Sequence, residues 1–316
     1  MTVKMIIDTD PGIDDAMAIA YAAADPEIKV VGLTTIFGNV YVEQGTRNAL
    51  HLVEMLGLDC PVAEGAAEPL AMPLDPPSQN VHGPEGFGGL PAPTPSSKAI
   101  DESAAEFLVR MCNESPNEVV ICAIGPLTNL AAAETKQPGI LKKAKEIIVM
   151  GGAFHCRGNV TPTAEFNIWF NPQAAQAVFD SRDDIVLLPL DVTRELVFTQ
   201  AMADVVTQHN PDSSLAQFVV KLCHFMVGTA LESRETARVP GFLVHDAATV
   251  GYLCYPETLL LKRARMQVET QGDWTMGQTL MDERHQAKSS ANAWIALQVD
   301  IPNFFASFVE DLKQLI

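Results

Sequence analysis

The chain has 316 residues, 47% hydrophobic and 19% charged, enough to bury a substantial core and too apolar for a disordered segment. Its 21 basic residues against 39 acidic ones leave a net charge of −18, which argues against nucleic acid or an anionic membrane surface as a partner. No apolar run reaches 18 residues, and no basic segment precedes an apolar one near Met1, so neither a spanning helix nor a signal peptide is expected.

The first patterned stretch runs from Met5 to Ile19. Met5–Ile7 reads as a buried strand, Pro11-Gly12 as a tight turn, and Asp14-Asp15 as the opening of a helix that Asp25-Pro26 ends. Asp8, Asp10, Asp14 and Asp15 fall within eight residues. Carboxylates that close repel one another once water is partly excluded, so they need a cation or protons. Oxygen ligands favour a hard ion, Ca²⁺ or Mg²⁺, over zinc. Helix capping accounts for Asp14 or Asp15, but not for a pair preceded by Asp8 and Asp10 at a strand's carboxyl end, where ligands gather in open α/β sheets.

Lys29–Thr35 is the next strand and runs into the loop Phe37-Gly38-Asn39-Val40; residues 43–57 form an amphipathic helix with Gly57 as its stop. Residues 66–97 hold eight of the 21 prolines and surround His82; so long a loop in a compact domain suggests a lid. Asp101 is expected to cap a helix reaching Cys112, and Glu118–Ile124 reads as a strand that Gly125-Pro126-Leu127-Thr128-Asn129 turns into a helix ending near Thr135. Glu146–Met150 is a strand, Arg157–Asn167 a polar loop, Asn171-Pro172 the start of a helix to Ser181, and Asp184–Leu190 a further strand. Past Thr199 the chain turns helical, with an apolar period from Leu215 to Leu231, and Val239–Val244 leads into His245-Asp246 at a helix start. Leu259–Thr270, Met276–Met281 and Ala293–Val299 alternate like antiparallel strands before a helix over 303–315. The expected fold is therefore α/β: one domain over residues 1–316, with an open, mostly parallel sheet flanked by helices and a C-terminal antiparallel extension. The six cysteines lack CxxC spacing and read as reduced thiols of a cytoplasmic protein.

The strand-end loops collect Asp8, Asp10, Asp14, Asp15, Asn39, His82, Asn159, Glu165, Asn167, His245 and Asp246, with almost no lysine or arginine. No GxxxxGK[ST] loop is present to cradle phosphate. Acidic and amide side chains around a hard cation suit the vicinal hydroxyls of a sugar, and such a cation also acidifies water. His245 adds a group that titrates near neutrality beside Asp246.

Asp8-Thr9-Asp10-Pro11-Gly12-Ile13-Asp14-Asp15-Ala16 resembles the N-terminal signature of the inosine-uridine nucleoside N-ribohydrolase family. Thr34-Thr35 through Gly38-Asn39, Val81-His82-Gly83, Gly125–Asn129, Met150-Gly151-Gly152, Ala164–Asn167 and His245-Asp246 follow in the family's order, so the resemblance covers the whole chain. Arg157–Asn167 and Val268-Glu269-Thr270-Gln271-Gly272 look most like the bacterial non-specific ribonucleoside hydrolases. The resemblance implies Ca²⁺-dependent hydrolysis of purine and pyrimidine ribonucleosides to ribose and free base, by a homodimer or homotetramer. It implies that Asp10, Asp15, Asp246 and the carbonyl of Ile124 hold Ca²⁺, and that Asp10 takes the proton of the attacking water. Asp14, Asn39 and Asn167 would hold ribose hydroxyls and the water, and Asn159 and Glu165 the 5′-hydroxyl. Met150 would line the sugar pocket, Phe166 would touch substrate, and His245, helped or replaced by His82, would protonate the departing base.

One departure stands out. Family members preferring inosine and uridine carry tyrosines on the helix before the His-Asp pair, whereas Gly228 to Arg238 has none; Phe87 or His82 would have to supply the base contacts. Two rivals compete. Asp8-x-Asp10 after an apolar strand resembles the haloacid-dehalogenase phosphohydrolases, but Gly12 stands where that motif wants Thr or Val. A non-catalytic nucleoside- or sugar-binding protein on the same fold would need neither Asp10 nor His245.

Overall fold

The computed structural model describes residues 2–69, 76–77, 79–233, 236, 239–284 and 290–316. Its strands are β1 (Val3–Thr9), β2 (Ile28–Thr35), β3 (Val62–Ala63), β4 (Val119–Ala123), β5 (Glu146–Met150), β6 (Ile185–Leu188), β7 (Val197–Thr199), β8 (Gly241–Leu243), β9 (Leu259–Val268), β10 (Thr279–Asp282) and β11 (Ala293–Val299). One nine-stranded sheet takes the order β10-β9-β11-β6-β5-β4-β1-β2-β3, and β7 and β8 form a separate antiparallel pair. From β3 to β6 all neighbours are parallel. β11 is itself parallel to β6, so the antiparallel extension begins only at β9 and β10.

Successive residues of the central strands serve opposite faces, as the pleat requires. Met5, Ile7, Val120, Cys122, Ile148 and Val186 join one apolar core, beneath the helices Ile13–Ala24, Ser214–Ser233, Ala247–Cys254 and Ile301–Leu315. Ile6, Val119, Ile121, Ile147 and Ile185 join the other, beneath Ala104–Glu114, Thr128–Lys136 and Pro172–Ser181. Both faces being covered, β4 reads as the unbroken apolar run Val-Val-Ile-Cys-Ala. On the first face Tyr21 meets Phe308 edge to face at 4.8 Å.

The helix Val42–Leu56 stops where expected, at Gly57 in the left-handed conformation (φ +64°), whose N–H returns to the carbonyls of Val53 and Glu54. The helix after the proline-rich segment begins later than Asp101: Ser103 is its cap, in a reciprocal box with Glu106. Part of the proline-rich segment, 70–75 and 78, lies outside the described residues; the remainder holds a short helix, Gln79–His82.

The chain runs outward in two directions from the centre, β1 to β2 and β3 on one side, β4 to β5 and β6 on the other. The reversal opens a crevice beyond the carboxyl ends of β1 and β4, the place where ligands enter open α/β sheets. Behind it, Asn129 Nδ2 donates to Asp8 Oδ1 (2.8 Å) and to the Thr35 carbonyl (2.9 Å), while Asn129 Oδ1 accepts from the Ala66 N–H. Thr34 Oγ1 donates to Asp8 Oδ1 (2.5 Å), and the Asp8 carbonyl accepts from the Ile124 N–H. Asp8 is thus a brace across β1, β2 and the end of β4. Asn129→Ala strips a partner from two buried acceptors and from the half-buried Ala66 N–H at once, and urea unfolding is expected to show a loss of about 2–4 kcal/mol.

Candidate active site

Asp10 leaves β1 and is fully buried. Its Oδ2 accepts from the Asn39 N–H at 2.6 Å, while its Oδ1, equally buried, has no hydrogen-bond partner. Two glycines make this possible. A Cβ built on Gly38 would stand 2.0 Å from Asp10 Oδ2, and one on Gly125 would stand 2.7 Å from Oδ1.

Asp15 sits at the third position of the helix Ile13–Ala24 and accepts from the Gly12 N–H (3.0 Å), Thr9 Oγ1 (2.6 Å) and Asn39 Nδ2 (3.0 Å). The capping reading of an Asp here is therefore correct for Asp15, but incomplete. One oxygen each of Asp14, Asp15 and Asp246 lie within 4.8 Å of one another, a grouping able to hold a metal ion. Asp10 stands outside that triplet but close enough for its charge to act on Asp246. Two unit charges 4 Å apart repel by about 4 kcal/mol at an effective dielectric of 20.

Burial pushes Asp14 up to about 8, with the charge of Asp15 adding and the adjacent Asp246 carboxyl opposing the rise. Burial raises Asp10, Asp15 and Asp246 likewise, and the neighbouring aspartates push Asp10 and Asp246 further. Asp8 rises to about 7 by burial alone, against its hydrogen bonds from Thr34 and Asn129. An all-oxygen donor set, mutual repulsion and an orphaned Asp10 Oδ1 fit a divalent cation.

A cavity of about 160 Å³ opens above these carboxylates. Of the residues expected from the sequence, Asp14, Asn39, His82, Ile124, Met150 and Asn159 line it, as do Glu165, Phe166, Asn167, His245 and Asp246. Asp10 and Asp15 lie under its floor, fully buried. Among the described residues, no lysine or arginine is in its lining.

Asn167 closes the floor: its Nδ2 donates to the carbonyls of Ile124 (2.9 Å) and Met150 (3.1 Å), tying the ends of β4 and β5 together. Glu165 caps the short helix Phe166–Trp169, accepting from the N–H groups of Gly152, Asn167 and Ile168. Burial pushes Glu165 up to about 7. Asn159, exposed at the rim, accepts from the Phe166 N–H through Oδ1.

His82 Nδ1 accepts from the Ile13 N–H at 3.2 Å, which puts the ring proton of neutral His82 on Nε2. His245 Nδ1 pairs with Thr193 Oγ1 at 2.7 Å. Burial lowers His82 to about 4, and burial with the charges of Arg194 and His82 lowers His245 to about 3.

Phe87 does not reach the cavity; it is buried edge to face against Phe218 at 5.2 Å. The base-contacting role considered for it has no support in its position. Positions 234–235 and 237–238 of the tyrosine-free stretch lie outside the described residues. The cavity also has lining that polar motifs did not reveal: Val81, Val160, Met226 and Leu243. Met226 lies within the apolar period 215–231, and nothing in that pattern separates a cavity wall from a core position.

A model of the family described as inosine-uridine preferring nucleoside hydrolase matches residues 5–306. Probable uridine nucleosidase 1 of Oryza sativa subsp. japonica is 42% identical over 317 residues, covering 98% of this chain and 96% of its own. Non-specific ribonucleoside hydrolase RihC of Klebsiella pneumoniae (strain 342) is 36% identical over 305 residues, with 96% of each chain covered. Among solved structures, the purine-preferring ribonucleoside hydrolase from Gardnerella vaginalis superimposes with a TM-score of 0.92 at 31% identity, over 99% of this chain and 98% of that one. The chain belongs to the inosine-uridine preferring nucleoside hydrolase family. It is an N-glycosidase, an enzyme that splits ribonucleosides at the bond between sugar and base. No helix among the described residues is long and apolar enough to cross a membrane.

The raised carboxylates have a measurable consequence. A carboxyl whose pKa is higher folded than unfolded stabilises the fold below about 4, and that contribution is lost as pH rises through the folded value. Asp8 and Glu165 at about 7 and Asp14 at about 8 place the loss between pH 5 and 8. Chelator-treated protein is therefore expected to melt lower at pH 8 than at pH 5.5, and a divalent cation to raise Tm more at pH 8. Scanning calorimetry at the two pH values checks both.

Proposed function

We propose that this chain is a single catalytic unit that hydrolyses both purine and pyrimidine ribonucleosides, with Ca²⁺ held by Asp10, Asp15, Asp246 and the Ile124 carbonyl. The observation that carries this reading is the acidic floor: four buried aspartates beneath a cavity with no lysine or arginine among the described residues of its lining. Hard oxygen ligands of this kind suit Ca²⁺, and when bound the cation polarises water and ribose hydroxyls.

Asp10 takes the proton of the attacking water; its unpartnered Oδ1 is the free acceptor for it. Asp14, at 8% the most exposed of the four, lines the cavity and with Asn39 and Asn167 holds the ribose hydroxyls and orients the water. Asn159 and Glu165 take the 5′-hydroxyl, with Met150 and Phe166 against the sugar. As the C1′–N bond breaks, positive charge grows on the ribose, and the carboxylates stabilise it. The departing base becomes a strong proton acceptor. His245, its Nδ1 paired with Thr193 Oγ1, presents Nε2 to the base; as the imidazolium it gives up the Nε2 proton and returns to neutral imidazole, and His82 supports or replaces it; such acid help contributes about 10²–10⁴-fold. Water adds at C1′ and leaves ribose.

Among the described residues no lysine or arginine lines the cavity to meet the phosphate of a phosphohydrolase substrate, and a binding protein would need neither Asp10 nor the histidines. We further propose a cytoplasmic homodimer or homotetramer. The test is ribose release from inosine and uridine by purified protein, with and without EDTA, beside Asp10→Asn. Ribose from both, abolished by EDTA, restored by Ca²⁺ and missing from Asp10→Asn, is the expected outcome. Turnover that survives exhaustive chelation contradicts the metal reading, and near wild-type kcat in Asp10→Asn removes Asp10 as the base.

A further inference from the structure

We propose that Met226 is the gauge of base size in this enzyme, the central side chain of an apolar wall that receives the nucleobase without reading its edges. The inference rests on the hydrolytic reading above and adds to it the residue that sets the balance between purines and pyrimidines.

The cavity lining is of two kinds. Asp14, Asn39, Glu165, Asn167 and Asp246 are polar. Val81, Met226 and Leu243 come from three elements that pack together: the short helix Gln79–His82, the helix Ser214–Ser233 and β8. His82 directly follows Val81, and His245 stands two residues past Leu243. A base protonated by either histidine therefore lies against this wall.

Among the described residues, the wall offers the base few fixed partners. Each histidine has committed Nδ1, His82 to the Ile13 N–H and His245 to Thr193, which leaves one ring nitrogen apiece. Asn159 Oδ1 is engaged by the Phe166 N–H. Sites that hydrogen-bond a substrate's polar groups discriminate strongly, whereas apolar pockets discriminate only by size. This wall is of the second kind, so shape decides.

Within it Met226 holds the decisive place. It is 6% exposed and stands on the buried stripe of its helix with Leu222, Cys223 and Ala230. Its neighbour Phe225 supports the loop that carries Val81 and His82: a Cβ built on Gly88 would stand 2.7 Å from the Phe225 ring. The helix thus fixes the loop through Phe225 while Met226 faces the cavity. An unbranched thioether adapts to rings of different size in a way that a branched or aromatic side chain does not.

The test measures kcat/KM for inosine and uridine, with the inhibition constant of free ribose as the control for sugar binding. Met226→Phe fills the wall and is expected to lower the inosine-to-uridine ratio by about tenfold. Met226→Ala widens it and is expected to raise that ratio. Ribose inhibition stays at the wild-type value in both, which a general distortion of the site would not allow. A ratio unchanged in both variants, or equal losses on both nucleosides together with weakened ribose inhibition, overturns the assignment while wild-type turnover still stands. Failure of the wild-type enzyme to release ribose from either nucleoside overturns the hydrolytic reading and this one together.

Discussion

The constraint on which the rest depends is the repulsion among carboxylates that this fold buries together. Asp10, Asp14, Asp15 and Asp246 are all buried, three of them with oxygens within 4.8 Å of one another, and the cavity above them has no lysine or arginine among the described residues of its lining. Uncompensated buried charge on this scale is expensive in free energy, and proteins retain it where it performs chemistry. In the proposed mechanism that chemistry is the stabilisation of a sugar that becomes positive as its base departs.

Side-chain amides hold this arrangement against its own repulsion. Asn39 gives its backbone N–H to Asp10 and its amide to Asp15. Asn129 links Asp8 to Thr35 and the 66 loop from behind, and Asn167 ties the carbonyl of Ile124 to that of Met150 from the front. An amide presents donors and an acceptor without net charge, so it positions carboxylates without neutralising them. Lysine in any of these places would compensate the charge and compete with a cation. The glycines at 38 and 125 complete the device by letting backbone approach Asp10 where any Cβ would collide.

Much of this was legible in the sequence, for definite reasons. The strand–turn–helix around Asp8–Asp15 announces itself through an apolar run, Pro11-Gly12 and the spacing of the carboxylates, and the alternation of strands and helices implies the parallel sheet. Other features carried no local signal. β7 and β8 are three residues each and pair across more than forty positions, so neither has a hairpin turn to betray it. Ser103 rather than Asp101 caps its helix because Glu106 lies at the right distance to complete the box. The membership of Val81, Val160, Met226 and Leu243 in the cavity depends on how distant elements meet, and Phe87 went into the core for the same reason.

The most direct test of the account is a calorimetric titration of chelator-treated protein with Ca²⁺, beside Asp15→Asn and Asp246→Asn. The account predicts one site per chain in the wild type and its loss in both variants, each still folded by circular dichroism. No binding to the wild type, or binding that survives both substitutions unchanged, would contradict the claim that this acidic floor is built around a cation.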